Sequence, residues 1–116
     1  MSNSAWKVFR IAEWESLMRD GRFSGSGGDL RDGYIHLSSA DQLARTLEKH
    51  FAGETAVIVG EVELAPFGEA LRWELSAGGS LFPHLYAPLH RGAIVRATRY
   101  ARSLRGLEPA GEVAVR

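Results

Sequence analysis

The sequence predicts an α+β fold. Two helical patterns fall in the first half, each preceded by a strand pattern, and strands then run on without further helices. No glycine fingerprint leads from a strand into a helix, so a Rossmann or P-loop nucleotide site is not expected. A chain of 116 residues fits one domain and buries roughly two-thirds of its unfolded surface, enough to fold without staples.

Residues 5–11 are short and apolar, a first strand. Residues 12–20 place Trp14, Leu17 and Met18 at helical spacing, and Gly21 is a stop. The glycine-rich stretch to Asp32 reads as a loop, with Ser24-Gly25-Ser26-Gly27-Gly28 its flexible part. Residues 33–38 are strand-like. Ser39 is a suitable N-cap, and Gln42 three residues later completes a capping box. Leu43, Leu47 and Phe51 then form an apolar stripe that ends at Gly53. Residues 55–64 alternate and are rich in valine and isoleucine, a strand broken by Pro66-Phe67-Gly68. Residues 71–75 make another, and Gly78-Gly79 a turn. Two prolines place residues 82–89 in an extended segment or loop at a sheet edge, because proline removes a ladder donor. Residues 93–100 complete the strands. The domain is expected to span 1–105, with 106–116 a weakly structured tail.

Composition removes several function classes. With no cysteine, disulfides, thiolate metal sites and cysteine nucleophiles are excluded. No Gly-x-Ser-x-Gly elbow is present, and His84 and His90 lie at no standard ligand spacing, so no metal is expected. No apolar run approaches the ~20 residues of a membrane helix, and the N-terminus lacks a secretory core. The expectation is a cytoplasmic protein without a membrane partner. Fourteen basic residues balance fourteen acidic ones, which disfavours nucleic acid as a partner. The balance conceals an asymmetry. Residues 91–116 carry six arginines against two glutamates, a net +4 offset by −4 before them. That end is either a solvated basic edge or an anion-binding rim, in which Arg96 is a candidate ligand contact.

Three segments concentrate chemistry. Strand periodicity puts Tyr34, His36 and Ser38 on one face and Ile35 and Leu37 on the other. The polar face is either solvated or lines a cleft. Alternation puts Trp73 with Leu71 and Leu75, and Glu74 with Arg72 on the reverse. The Arg72/Glu74 pair is either an exposed ion pair or brings a general base to the cleft. The segment 81–86 holds His84 and Tyr86 between stiffening prolines, and histidine serves as donor or base near neutrality. The candidate catalytic residues are therefore His36, Glu74 and His84. Candidate ligand contacts are Tyr34, Ser38, Trp73, Tyr86 and Arg96.

Trp14, Gly21, the run from Asp32 to Ser38, Gln42, Trp73-Glu74, Phe82-Pro-His-Leu-Tyr86 and Pro88-Leu89 together resemble the bacterial domain of unknown function 952 over about residues 5–100. One departure is Ala87, where the pattern has glycine. The resemblance implies a fold related to the ADP-ribosyltransferases, a curved, split mixed β-sheet with flanking helices around a cleft. It also implies NAD as substrate, with His36, and Ser38 beside it, contacting the dinucleotide. The usual transferase order of motifs is not kept, since Glu74 precedes Tyr86. The expected function is binding of NAD or a related nucleotide with transfer of ADP-ribose. The alternatives are a non-catalytic nucleotide- or metabolite-binding module and an interaction domain.

Overall fold

In the computed structural model, which describes residues 3–76 and 78–116, the chain opens with β1 (Ser4–Phe9) and α1 (Ile11–Asp20). Trp14 and Leu17 are the buried residues of α1, and Gly21 ends it in the left-handed region expected of a C-cap glycine. The glycine-rich stretch is not a simple loop. It contains β2 (Arg22–Phe23) and α2 (Gly27–Asp32). The reason is Ser26, whose hydroxyl accepts the Asp29 N–H while Asp29 accepts the Ser26 N–H. This reciprocal cap is enough to nucleate a short helix despite two glycines.

β3 is only Ile35–His36, and α3 runs Leu43–His50. The expected capping box at Ser39 is half formed. Gln42 Oε1 accepts the Ser39 N–H at 3.0 Å, but Ser39 Oγ donates to Asp41, and the helix begins one turn later. β4 (Ala56–Glu63) is followed by a 3-10 segment, Ala65–Ala70, then β5 (Leu71–Leu75), β6 (Leu81–Leu85) and β7 (Leu89–His90). β8 (Ile94–Ser103) turns back into β9 (Gly106–Val113). The tail from residue 106, expected to be weakly structured, is therefore a strand. Its order comes from pairing along β8, which no local periodicity announces.

The strands form a four-stranded sheet in the order β1-β4-β8-β9, a three-stranded sheet β3-β6-β5 and a small β2-β7 pair. Every ladder described is antiparallel, so the α+β class stands but the sheet is not mixed. The two larger sheets touch at one bridge, where Trp6 and Ser38 exchange backbone hydrogen bonds at 2.7 and 2.8 Å. β6 is the central strand of its sheet, not an edge, although it contains Pro83. The Pro83 carbonyl accepts the Leu37 N–H at 3.1 Å just where β3 has ended, so its missing donor interrupts little of the ladder.

The four-stranded sheet is covered on both faces. Ala5, Phe9, Ile58 and Val62 meet α1 and the inner side of the three-stranded sheet. Val8, Val57 and Val59 meet Leu47 of α3 on the other. Gly60 sits at the crossing with Phe9, where a Cβ would lie 3.2 Å from that ring and press on it. No helix among the described residues is long and apolar enough to cross a membrane.

Candidate functional site

Register assembles the polar face that alternation could only suggest. Across the three-stranded sheet, His84 stands opposite both His36 and Arg72, and Glu74 stands opposite Phe82. Strand periodicity then puts Tyr34, His36, His84, Tyr86, Arg72 and Glu74 on one side. Ile35, Leu37, Leu85, Leu71 and Trp73 lie on the other, against the core. Tyr34 stacks on His84 with centroids 4.0 Å apart, and its ring lies 4.7 Å from His36 and 5.3 Å from Tyr86. The Arg72 guanidinium covers the Tyr86 ring at 4.4 Å. Glu74 Oε1 sits 2.8 Å from His84 Nδ1 and accepts the Tyr86 hydroxyl at 2.7 Å. Those two bonds, Tyr86 first, hold the Glu74 carboxyl below its usual value; in return the Glu74 contact raises the Tyr86 phenol. Burial, followed by the charges of Asp32 and Glu74, raises Tyr34.

A second cluster lies beside it. The capping geometry of α2 turns the Asp29 carboxylate inward, where it is buried. It takes the Lys7 ammonium at 2.8 Å, the His36 N–H at 3.1 Å and His36 Nδ1 at 2.6 Å. Burial acts to raise the Asp29 carboxyl, but the His36 and Lys7 contacts outweigh it and hold the group well below the carboxylate range. Gly33, at φ 87°, closes α2 and swings the chain directly into β3. This brings Asp32 Oδ2 to 3.0 Å from His36 Nε2. Each nitrogen of His36 therefore faces a carboxylate, Nδ1 in a hydrogen bond with Asp29 and Nε2 in a looser contact with Asp32.

Between α2, β3 and α3 lies a cavity of about 580 Å³. His36 and His84 line it, with Trp6 and Phe82 as apolar wall and the β5–β6 turn at one edge. Gln42 Nε2 ties the start of α3 to the Leu81 carbonyl at 2.8 Å, fixing that wall to β6. α3 contributes Arg45, Thr46, Lys49 and His50. Arg10 is paired with Glu54 at 3.1 Å, and Lys7 is paired with Asp29. Among the described residues no ion pair involves Arg45 or Lys49, which stand one turn apart on α3. Burial, then the charges of Lys49 and His36, lowers the His50 imidazole.

Of the expected residues, Tyr34, His36, Glu74, His84 and Tyr86 come together, but of these five His36 and His84 line the cavity, while Glu74 lies behind His84, and Tyr34 and Tyr86 line a smaller depression with Ala87 and Pro88. Ser38 lines the large cavity while buried, with its hydroxyl bonded to Thr46 Oγ1 at 2.7 Å. Two expectations are corrected. Trp73 packs on the core, because its strand parity is that of Leu71 and opposite to that of Glu74. Arg96 stands on β8, 4.0 Å from Glu61, and does not line the cavity. The basic C-terminal end as a whole is not the rim. Arg91 donates to the Met18 carbonyl, and Arg102 to those of Glu54 and Phe51, so these arginines cap backbone. Among the described residues, the cavity cations without an ion pair come from α3.

Sequence reasoning missed Lys7, Asp29, Asp32, Arg45 and Lys49. Two signals were present. Lys7 interrupts the apolar parity of Ala5 and Phe9, and Ser26-Gly-Gly-Asp29 has capping-box spacing inside a stretch read as loop.

Residues 8–97 match the profile of the family described as "Protein of unknown function (DUF952)". The chain is similar to protein CC0527 from Caulobacter crescentus, whose X-ray crystal structure is 40% identical in sequence. The match covers 92% of this chain and 93% of that one, with a TM-score of 0.85. A double mutant of the same protein gives the same identity, coverage and TM-score. Its solution NMR structure gives 0.80, at 40% identity over 91% of each chain. No curated protein matches this chain.

Proposed function

The chain belongs to the DUF952 family, and from that premise we propose that its cavity binds a phosphate-bearing, nucleotide-like small molecule, with NAD as the reference ligand. The observation that carries this reading is the pair Arg45 and Lys49, exposed on one face of α3 and lining the same cavity as His36 and His84. Unpaired cations beside a concave site attract phosphate, arginine by a planar fork and lysine as a point charge. The volume of about 580 Å³ falls in the ~300–1,000 Å³ range of small-molecule sites. Trp6 and Phe82 offer an apolar wall against which a base or nicotinamide ring can lie. Three acidic residues share this lining: Asp29 is offset by Lys7 and His36, Asp32 lies near Arg31 and His36, and Asp41 has no ion pair among the described residues, so it is the one acid that opposes an anion beside Arg45. Transfer of ADP-ribose is the catalytic extension of the same reading, favoured by three histidines on the cavity wall, His36, His50 and His84.

Isothermal titration with NAD, ADP-ribose and inorganic pyrophosphate tests it. The Arg45→Glu/Lys49→Glu double variant, altered only at exposed positions, should bind at least tenfold more weakly, about 1.4 kcal/mol. Unchanged affinity in that variant, or no heat with any of the three at millimolar concentration, overturns the reading. Release of nicotinamide from NAD on long incubation separates transfer from binding alone.

A further inference from the structure

We propose that His84 is the proton-accepting base of the cavity, presenting Nε2 to a hydroxyl of the bound molecule or of a water, with Glu74 and Tyr86 as its positioning residues. The inference rests on the cavity being the ligand site.

Three histidines line the cavity: the His50 ring on α3 has no hydrogen-bond partner among the described residues and so nothing orients it, whereas His36 and His84 are each held by a carboxylate and differ in what is left free. His36 has Asp29 hydrogen-bonded at Nδ1, 2.6 Å away, and the Asp32 carboxylate stands 3.0 Å from Nε2, in the position a substrate hydroxyl would need. His84 has one partner. Its Nδ1 lies 2.8 Å from Glu74 Oε1, which fixes the proton on Nδ1 and leaves the lone pair on Nε2. No group among the described residues bonds Nε2. Yet no buried side-chain nitrogen among them lacks a partner, so Nε2 is not sealed in the interior. His84 lines the large cavity, and in this assignment the free nitrogen lies on that side.

The ring is held as a base should be. It is 3% exposed and stacked on Tyr34 at 4.0 Å. The carboxylate that orients it is itself fixed by the Tyr86 hydroxyl at 2.7 Å on the same oxygen, and Arg72 covers the Tyr86 ring. A base oriented by a third group is the arrangement that activates oxygen nucleophiles. In the step, the O–H bond breaks and its electron pair stays on oxygen. The proton bonds to Nε2, and the imidazolium formed is balanced by Glu74 through Nδ1–H. No other reactant is required. The same arrangement explains why Glu74 needs no place on the cavity surface: it acts through His84.

Long-range 1H–15N correlation spectra of the four histidine rings at pH 8 test the assignment, with His84→Gln identifying the resonances. In the free protein, His84 should show a protonated Nδ1 and an unprotonated Nε2. Glu74→Leu should move it toward the Nε2–H form that unconstrained imidazole prefers. Glu74→Gln, which keeps a carbonyl acceptor, should restore the Nδ1–H form. Tyr86→Phe, a milder change, should broaden or weaken the preference. A His84 found as Nε2–H in the wild type, or unmoved by Glu74→Leu, overturns the proposal. Adding 10 mM NAD separates the two readings. Shifts at the Arg45 and Lys49 amides without movement of His84 Nε2 refute the base and leave the binding site standing. No shift at any of these positions removes both.

Discussion

Replacing Lys7 by methionine keeps most of the stem volume and deletes one charge of a buried pair. Lys7 and Asp29 are 5% and 3% exposed, so the ammonium is desolvated and its removal cannot be offset by water. The loss strips Asp29 Oδ2 of its 2.8 Å partner and the His36 carbonyl of a 3.2 Å donor. Removing one member of a buried pair costs about 3–5 kcal/mol. Asp29 keeps Ser26 N–H, His36 N–H and His36 Nδ1, which puts the expected loss at the low end, about 3 kcal/mol. Unfolding entropy of about 2.1 cal/mol/K per residue over 116 residues gives roughly 0.24 kcal/mol/K, so Tm should fall by ~12 °C. Calorimetry at pH 7 reads this directly. Adding Asp29→Asn, which removes the orphaned charge, should return about 1 kcal/mol through coupling of the two sites. The pH dependence has a definite sign. The folded Asp29 carboxyl is depressed, so its contribution is present above the unfolded value of about 3.9 and is lost as pH falls below it. The wild-type advantage over Lys7→Met should therefore shrink below pH 4. A fall in Tm under ~4 °C at pH 7, or strict additivity of the two substitutions, would refute the buried-pair account.

Three further outcomes follow from single contacts. Glu74→Leu removes both the acceptor and the charge that hold up the Tyr86 phenol, the acceptor first, so tyrosinate absorbance should appear at lower pH; an unchanged titration curve contradicts the hydrogen bond. Gly33→Ala forces a Cβ onto a residue at φ 87° and should cost about 1–2 kcal/mol in urea unfolding at constant m, whereas wild-type stability would mean the turn into β3 has relaxed. Gly60→Ala places a methyl 3.2 Å from the Phe9 ring and should destabilise by about 1–3 kcal/mol, measured by the same method; a neutral result would show that Phe9 can move aside.

The α+β class, α1, β4 and β5 were legible because periodicity and local stops specify them: Trp14 and Leu17 with Gly21, the alternation before Pro66, the short run at Leu71. The polar face of Tyr34 and His36 was legible for the same reason, since strand parity is local. What sequence could not decide was register. Nothing in the chain states that His84 pairs with both His36 and Arg72, and that pairing alone puts Glu74 behind His84. Pairing with β8 likewise turned an unpatterned tail into β9, and tertiary contacts put Arg91 and Arg102 on backbone carbonyls and Arg45 and Lys49 at the cavity. Parity along a strand is set by neighbouring residues. The partner opposite each residue is set by backbone hydrogen bonds between segments distant in sequence, and those form only when the whole core closes.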